Sequence, residues 1–200
     1  MKKLVLILML AVLVGGAAFS FDIHSFPSPI EKGDLLISPM VSIGYGWPGF
    51  GLGVPLAIEY ALPIPFALSV GGETGVALRL WRGDGFMMAI PLMVKVAWHP
   101  NFEVRNLDVY FAVKLGAAIG IWPGRKSYNA WGSDYNLIGA GFAGGFDAGV
   151  RYFFTPKMAI NGEVGYNRLN VRFRYKGGGP YGYYPFYFGS FLRVGLTFRV

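Results

Sequence analysis

The sequence predicts an all-β protein, an eight-stranded antiparallel transmembrane β-barrel preceded by a cleavable signal peptide. Three observations predict it. The N-terminus has the layout of an export signal. A period-two alternation recurs eight times. Each repeat divides into a bulky apolar face and a face of small residues carrying one or two charges.

The export signal comes first. Lys2 and Lys3 form a basic start, residues 4–14 are apolar without a break, and Gly15, Gly16, Ala17 and Ala18 supply small residues. The run is shorter than the roughly 20 apolar residues that a retained anchor needs. Cleavage is expected after Ala18 or Ser20, giving a signal peptide at 1–20, a periplasmic N-terminal segment at 21–33 and a barrel at 34–200.

Composition narrows the class. Apolar residues make up 54% and charged residues only 14%, which excludes intrinsic disorder. The absence of cysteine excludes disulfides and thiolate metal sites. With only His24 and His99 there is little for a histidine site, and no metal or cofactor is expected. Residues 35–58 carry no charge and are long enough to cross a bilayer, but Pro39, Pro48, Pro55 and five glycines interrupt them. In a helix each such proline costs about 3 kcal/mol and each glycine about 1. The stretch is therefore cut at Trp47-Pro48-Gly49 into two strands.

The eight strands are read at 35–47, 52–62, 68–80, 86–98, 108–121, 141–154, 158–166 and 190–200. The last is the clearest: Leu192, Val194, Leu196, Phe198 and Val200 share one face, opposite Arg193, Gly195, Thr197 and Arg199. An even number of strands permits antiparallel closure without an edge. The face of Gly, Ala and Ser suits the inside of a narrow barrel, where only side chains fit, so the bulky face is assigned to lipid. Pro39, Pro55 and Pro91 fall inside strands and are expected to bring bulges or early strand ends. In the seventh strand the apolar parity changes between Tyr166 and Leu169, which predicts a β-bulge near Asn167.

The two longest connections, 123–136 and 176–188, fall on one end, as the outer loops of such barrels do, so the termini are expected to be periplasmic. Trp47, Trp81, Trp98 and Trp122 lie at strand ends, where an interfacial girdle would form.

The chain resembles the small eight-stranded outer-membrane proteins of the OmpA/OmpX and OmpW type. The motif that carries the resemblance is Phe191-Leu192-Arg193-Val194-Gly195-Leu196-Thr197-Phe198-Arg199-Val200. The resemblance implies an outer-membrane location in a diderm bacterium and recognition of this last strand by the barrel-assembly machinery. It also implies contact with outer-membrane lipid and lipopolysaccharide.

Candidate functional residues follow from the faces. Glu59, Glu73, Asp108, Asp147 and Glu163 are expected inside the lumen with Arg79, Lys95, Lys114, Arg151, Arg193 and Arg199, as a paired charge network. Arg125, Lys126, Tyr128, Trp131, Arg172, Arg174, Lys176, Tyr181, Tyr183 and Tyr184 are expected at the outer end as a basic, tyrosine-rich surface. Its partner class is a polyanionic glycan or a host protein; membrane placement argues against nucleic acid. Some barrels of this type modify lipid A through a serine, a histidine and an acid at the outer rim. Here His24 precedes the first strand and His99 falls in a periplasmic turn. The carboxylate nearest to it in sequence is Glu103, with no serine close by, so no enzyme is expected. The leading reading is a structural or surface-interaction barrel. A small OmpW-like channel stands second, and a soluble periplasmic lipocalin-like barrel third.

Overall fold

Eight strands close on themselves because each ladder has a partner on both sides. The structure, a computed structural model, describes residues 30–46, 49–64, 67–81, 85–102, 104–122, 137–173, 182–183 and 189–200. The strands are β1 (Leu35–Gly46), β2 (Gly49–Ala61), β3 (Leu68–Trp81), β4 (Gly85–Trp98), β5 (Leu107–Trp122), β6 (Leu137–Thr155), β7 (Met158–Phe173), a two-residue β8 (Gly182–Tyr183) and β9 (Ser190–Arg199). All neighbours are antiparallel. Pairing runs from β6 back to β1, on to β9 and β7, and closes through β6–β7, with β8 adding only to the end of β7. The start of the first strand meets the end of the last, since the Val200 N–H donates to the Leu35 carbonyl at 2.9 Å.

The register fixes the width. From Arg168 the pairing leads through Gly144, Leu115, Val94, Gly72, Ile58, Ile37 and Phe198, and returns to β7 at Met158, ten residues away. Eight strands with a shear of ten tilt by about 40° and leave a backbone radius of about 8 Å. That is room for interlocking side chains and little else.

The alternating faces sort as bulk dictates. Val54 is 62% exposed and Phe146 60%, whereas Glu59 is 1% and Arg151 0% exposed. The apolar side chains face outward all round the ring, the reverse of a soluble barrel with an apolar interior. Glycine serves close packing inside: a Cβ on Gly149 would collide with the Tyr110 ring.

Two expectations are corrected. No bulge occurs near Asn167. β7 runs unbroken from Met158 to Phe173, and the one register shift in the β6–β7 ladder lies between Phe153 and Thr155. Strand parity therefore carries through: Asn167, Leu169 and Val171 are buried and Arg168 is exposed. Fifteen consecutive positions, Ala159 to Phe173, pair with β6 in one unbroken register, and the apolar pattern yields instead. Nor do the prolines end strands or force bulges. Pro39 keeps its place opposite Leu56, Pro55 opposite Gly75 and Pro91 opposite Ala118. Each lacks a donor toward one neighbour only, and the other ladder opens there: β1–β9 at 38–39, β1–β2 at 40–41 and β3–β4 at 75–76.

Candidate functional site

The inward parity of seven strands brings nine charges into one column. Asp108 pairs with Arg151, Arg151 with Glu59, Glu59 with Lys95, Lys95 with Glu163, Glu163 with Arg193, Arg193 with Glu73, Glu73 with Lys114, and Lys114 with Asp147. The signs alternate along the whole chain, and every member is at most 5% exposed.

Cross-strand register supplies two of the links directly, because Asp108 lies opposite Arg151 on β5–β6 and Glu163 opposite Arg193 on β7–β9. Lys114 and Asp147 are diagonal neighbours on the β5–β6 ladder, and the other five links join strands that are not paired with each other. Arg193 grips Glu73 with both terminal nitrogens, Nη1 to Oε2 and Nη2 to Oε1, each at 2.9 Å, the bidentate geometry that best offsets desolvation. Lys95 Nζ lies 3.2 Å from both Glu59 Oε1 and Glu163 Oε1, and Lys114 Nζ lies 2.9 Å from Glu73 and 2.7 Å from Asp147. Aromatic rings cover the cations: Arg151 sits 4.1 Å over Tyr110 and Arg193 4.0 Å over Phe191. The Tyr110 hydroxyl donates to Glu163 at 2.5 Å.

Arg79 and Arg199 stand apart in height. Arg79 is nearer the long-loop end, where Nη2 donates to the Gly49 carbonyl at 2.6 Å. Arg199 is at the short-turn rim, 3.2 Å from Asp34 and 4.6 Å over the Phe153 ring. Around Arg79, toward the long-loop end, the inward filling is mostly apolar: Leu169, Val171, Met87, Ala89, Ala118 and Ala143 are all buried. Where the two kinds of filling meet, beside Glu73, Asn167, Leu169 and Arg193, there is a void of about 30 Å³, enough for about one water.

The carboxylates of Glu73, Asp147 and Glu163 offer oxygens within 4.8 Å of one another. Lys114 and Arg193 already occupy the counter-charge positions a cation would need.

One arrangement was not anticipated. Ser69 Oγ lies 2.9 Å from His99 Nε2, and His99 Nδ1 lies 2.9 Å from Asp108 Oδ1. The order matches nucleophile, base and acid of a hydrolase, but access is lacking. Ser69 has no exposed surface, and its hydroxyl donates to Glu59 Oε2 at 3.1 Å. Since Arg151 joins Asp108 back to Glu59, the five side chains form a closed ring across the short-turn end. Ser69 and Asp108 have the inward parity that the sequence indicates. Their meeting with His99 depends on register.

Of the other sequence-predicted residues, Trp81 and Trp122 end β3 and β5 at the long-loop end, and Trp98 ends β4 at the other, half exposed. Arg172 pairs in register with Tyr183. Trp47, Arg125, Lys126, Tyr128, Trp131, Arg174, Lys176, Tyr181 and Tyr184 lie outside the described residues, as do residues 1–29 and Glu103.

No family model and no curated protein matches the chain. Solved structures do. Neisserial surface protein A aligns with a TM-score of 0.58 at 12% identity, over 84% of this chain and 96% of that one. The outer membrane protein OprG from Pseudomonas aeruginosa aligns with a TM-score of 0.53 at 11% identity, over 85% and 97%. With its closed ring and outward apolar face, this chain has the fold of the small eight-stranded outer-membrane β-barrels.

Proposed function

We propose that the protein is an integral outer-membrane barrel, exported behind a signal peptide at 1–20, that serves as a structural and surface-interaction protein rather than a channel or an enzyme. The observation that carries this reading is the buried chain of nine alternating charges, capped toward the long-loop end by Leu169 and Val171. A lumen so filled leaves the outer surface as the place of contact. Arg125, Lys126, Tyr128, Trp131, Arg172, Arg174, Lys176, Tyr181, Tyr183 and Tyr184 lie in or beside the two longest connections. Their mixture of cations and tyrosines suits a polyanionic glycan or a host protein. The alternating last strand would be the segment read by the barrel-assembly machinery.

The test pairs two measurements on the mature barrel. In planar bilayers it should give no stable conductance steps, and in a binding assay it should retain a sulfated polysaccharide. Replacing Arg125, Lys126, Arg174 and Lys176 with Glu should abolish that binding without changing the heat-shifted gel mobility of the folded barrel. Steady single-channel steps would overturn the reading in favour of a small OmpW-like channel.

A further inference from the structure

The lipid-facing wall is nearly free of charge. Among the strand residues whose side chains are described, Arg168 is the one charged group on that face, and apart from the tyrosines and Trp98 its polar, uncharged members are Thr74, Asn170 and Ser190. Arg168, Asn170 and Ser190 gather at one place, the long-loop end of β7 and the facing start of β9. Arg168 Nε donates to Asn170 Oδ1 at 3.2 Å, and Ser190 lies opposite Tyr166 two positions below.

The level of Arg168 follows from the ladder. With ten residues of shear spread over eight strands, each step to the next strand changes the level by a little over one residue. Counted so, Arg168 stands about 20 Å above the exposed ring of Tyr60, Trp98 and Tyr152, at about 2.5 Å of axial rise per tilted residue. A lipid-facing band about 25 Å tall ends about 5 Å above it, within reach of an extended arginine side chain. Its head therefore meets the polar surface of the outer leaflet while its stem lies in hydrocarbon.

The wall beside it has a matching shape. Directly across β6–β7 from Arg168 is Gly144, over which the exposed Phe142 ring packs, with the exposed Phe146 ring on its other side along β6. Phe146 stacks on Tyr166 with ring centroids 6.0 Å apart. A cation and an amide thus stand beside an aromatic surface, an amphipathic patch with the order of head group and acyl chain.

We infer that this patch seats a phosphorylated glycolipid of the outer leaflet, with Arg168 on the phosphate and an acyl chain along the exposed Phe142, Phe146 and Tyr166 rings. The inference rests on the outer-membrane reading above and names the lipid that the reading leaves general.

The test uses the mature barrel in a neutral maltoside detergent, with bisphosphorylated lipid A or phosphate-stripped lipid A added. The readout is the temperature at which the compact unboiled gel band is lost. The phosphorylated form should raise that temperature by several degrees over the stripped form. Arg168→Leu should erase the difference while leaving the band itself intact, and Arg168→Lys should keep part of it. A phosphate-dependent rise that survives in Arg168→Leu, or equal effects of the two lipids, overturns the seat. A crosslinked dimer that forms without lipid and disappears in Arg168→Leu overturns it in favour of a second copy of the chain. Absence of any heat-shifted band removes the membrane-barrel reading itself, a different failure from loss of phosphate dependence.

Discussion

Lys95 and Lys114 stand directly opposite each other across the β4–β5 ladder, both buried in the lumen. Two like charges at facing positions ordinarily destabilise a sheet. Here each leans away to its own acids, Lys95 to Glu59 and Glu163 and Lys114 to Glu73 and Asp147. Glu59 and Glu163 lie on strands not paired with β4, and Glu73 on a strand not paired with β5, so the charge chain ties together strands that no ladder joins; Asp147 holds Lys114 from the neighbouring strand.

Lys95 is the link between the two halves of that chain. Lys95→Met should leave Glu59 and Glu163 short of a cation in a dry site, at a cost of about 3–5 kcal/mol. Urea unfolding of the refolded barrel checks this. Arg193→Met should behave similarly. Glu73→Gln placed on top of Arg193→Met should recover part of the loss, because the buried carboxylate that has lost its bidentate partner and keeps only Lys114 is then neutral. Additive losses would mean that the pairs act independently.

Close packing against glycine gives a second expectation. Gly149→Ala would push its methyl into the Tyr110 ring, displacing the hydroxyl from Glu163. Overpacking of this kind costs about 1–3 kcal/mol. In a Tyr110→Leu background the same Gly149→Ala change should cost much less, and a thermodynamic cycle of the four proteins measures the coupling. A coupling of zero would place the ring elsewhere.

The serine at the short-turn end separates a hydrogen-bond ring from a catalytic one. A fluorophosphonate probe, which captures activated serines, should leave Ser69 unlabelled in the folded barrel, since that residue has no exposed surface. His99→Phe should nevertheless lower stability by about 1–3 kcal/mol, because Ser69 and Asp108 each lose a partner in a buried site. Labelling of Ser69 in protein that still shows the compact gel band would sink the structural account.

Much of this was legible because hydrocarbon enforces a simple code. A strand that faces lipid must present bulk on alternate residues, so runs such as Leu192, Val194 and Leu196 declare both strand and face. The inward parity of the nine charges of the chain was legible for the same reason. Which of them meet was not. Ser69, His99 and Asp108 lie on or beside three different strands, and only the shear sets their heights. The parity change after Tyr166 was visible but ambiguous: a bulge or an inverted wall would both produce it. The continuous β6–β7 ladder selects the second, and with it an outward Arg168 that keeping Leu169 and Val171 toward lipid would have turned inward.

Depth along the wall yields the last prediction. Val194 is half exposed on the lipid face of β9, and by the ladder it lies within about 5 Å of the middle of the apolar band. Val194→Arg should therefore cost about 2–4 kcal/mol and block or weaken insertion. Ser190 is on the same face of the same strand but four residues nearer the long-loop end, almost level with Arg168. Ser190→Arg should cost no more than about 1 kcal/mol, the value for an arginine near the interface. Folding into liposomes, followed by the mobility of the unboiled band, reads both. Equal losses at the two positions would mean that the apolar band extends well past β7's arginine, and the depth scale that places Arg168 at the outer interface would fall with it.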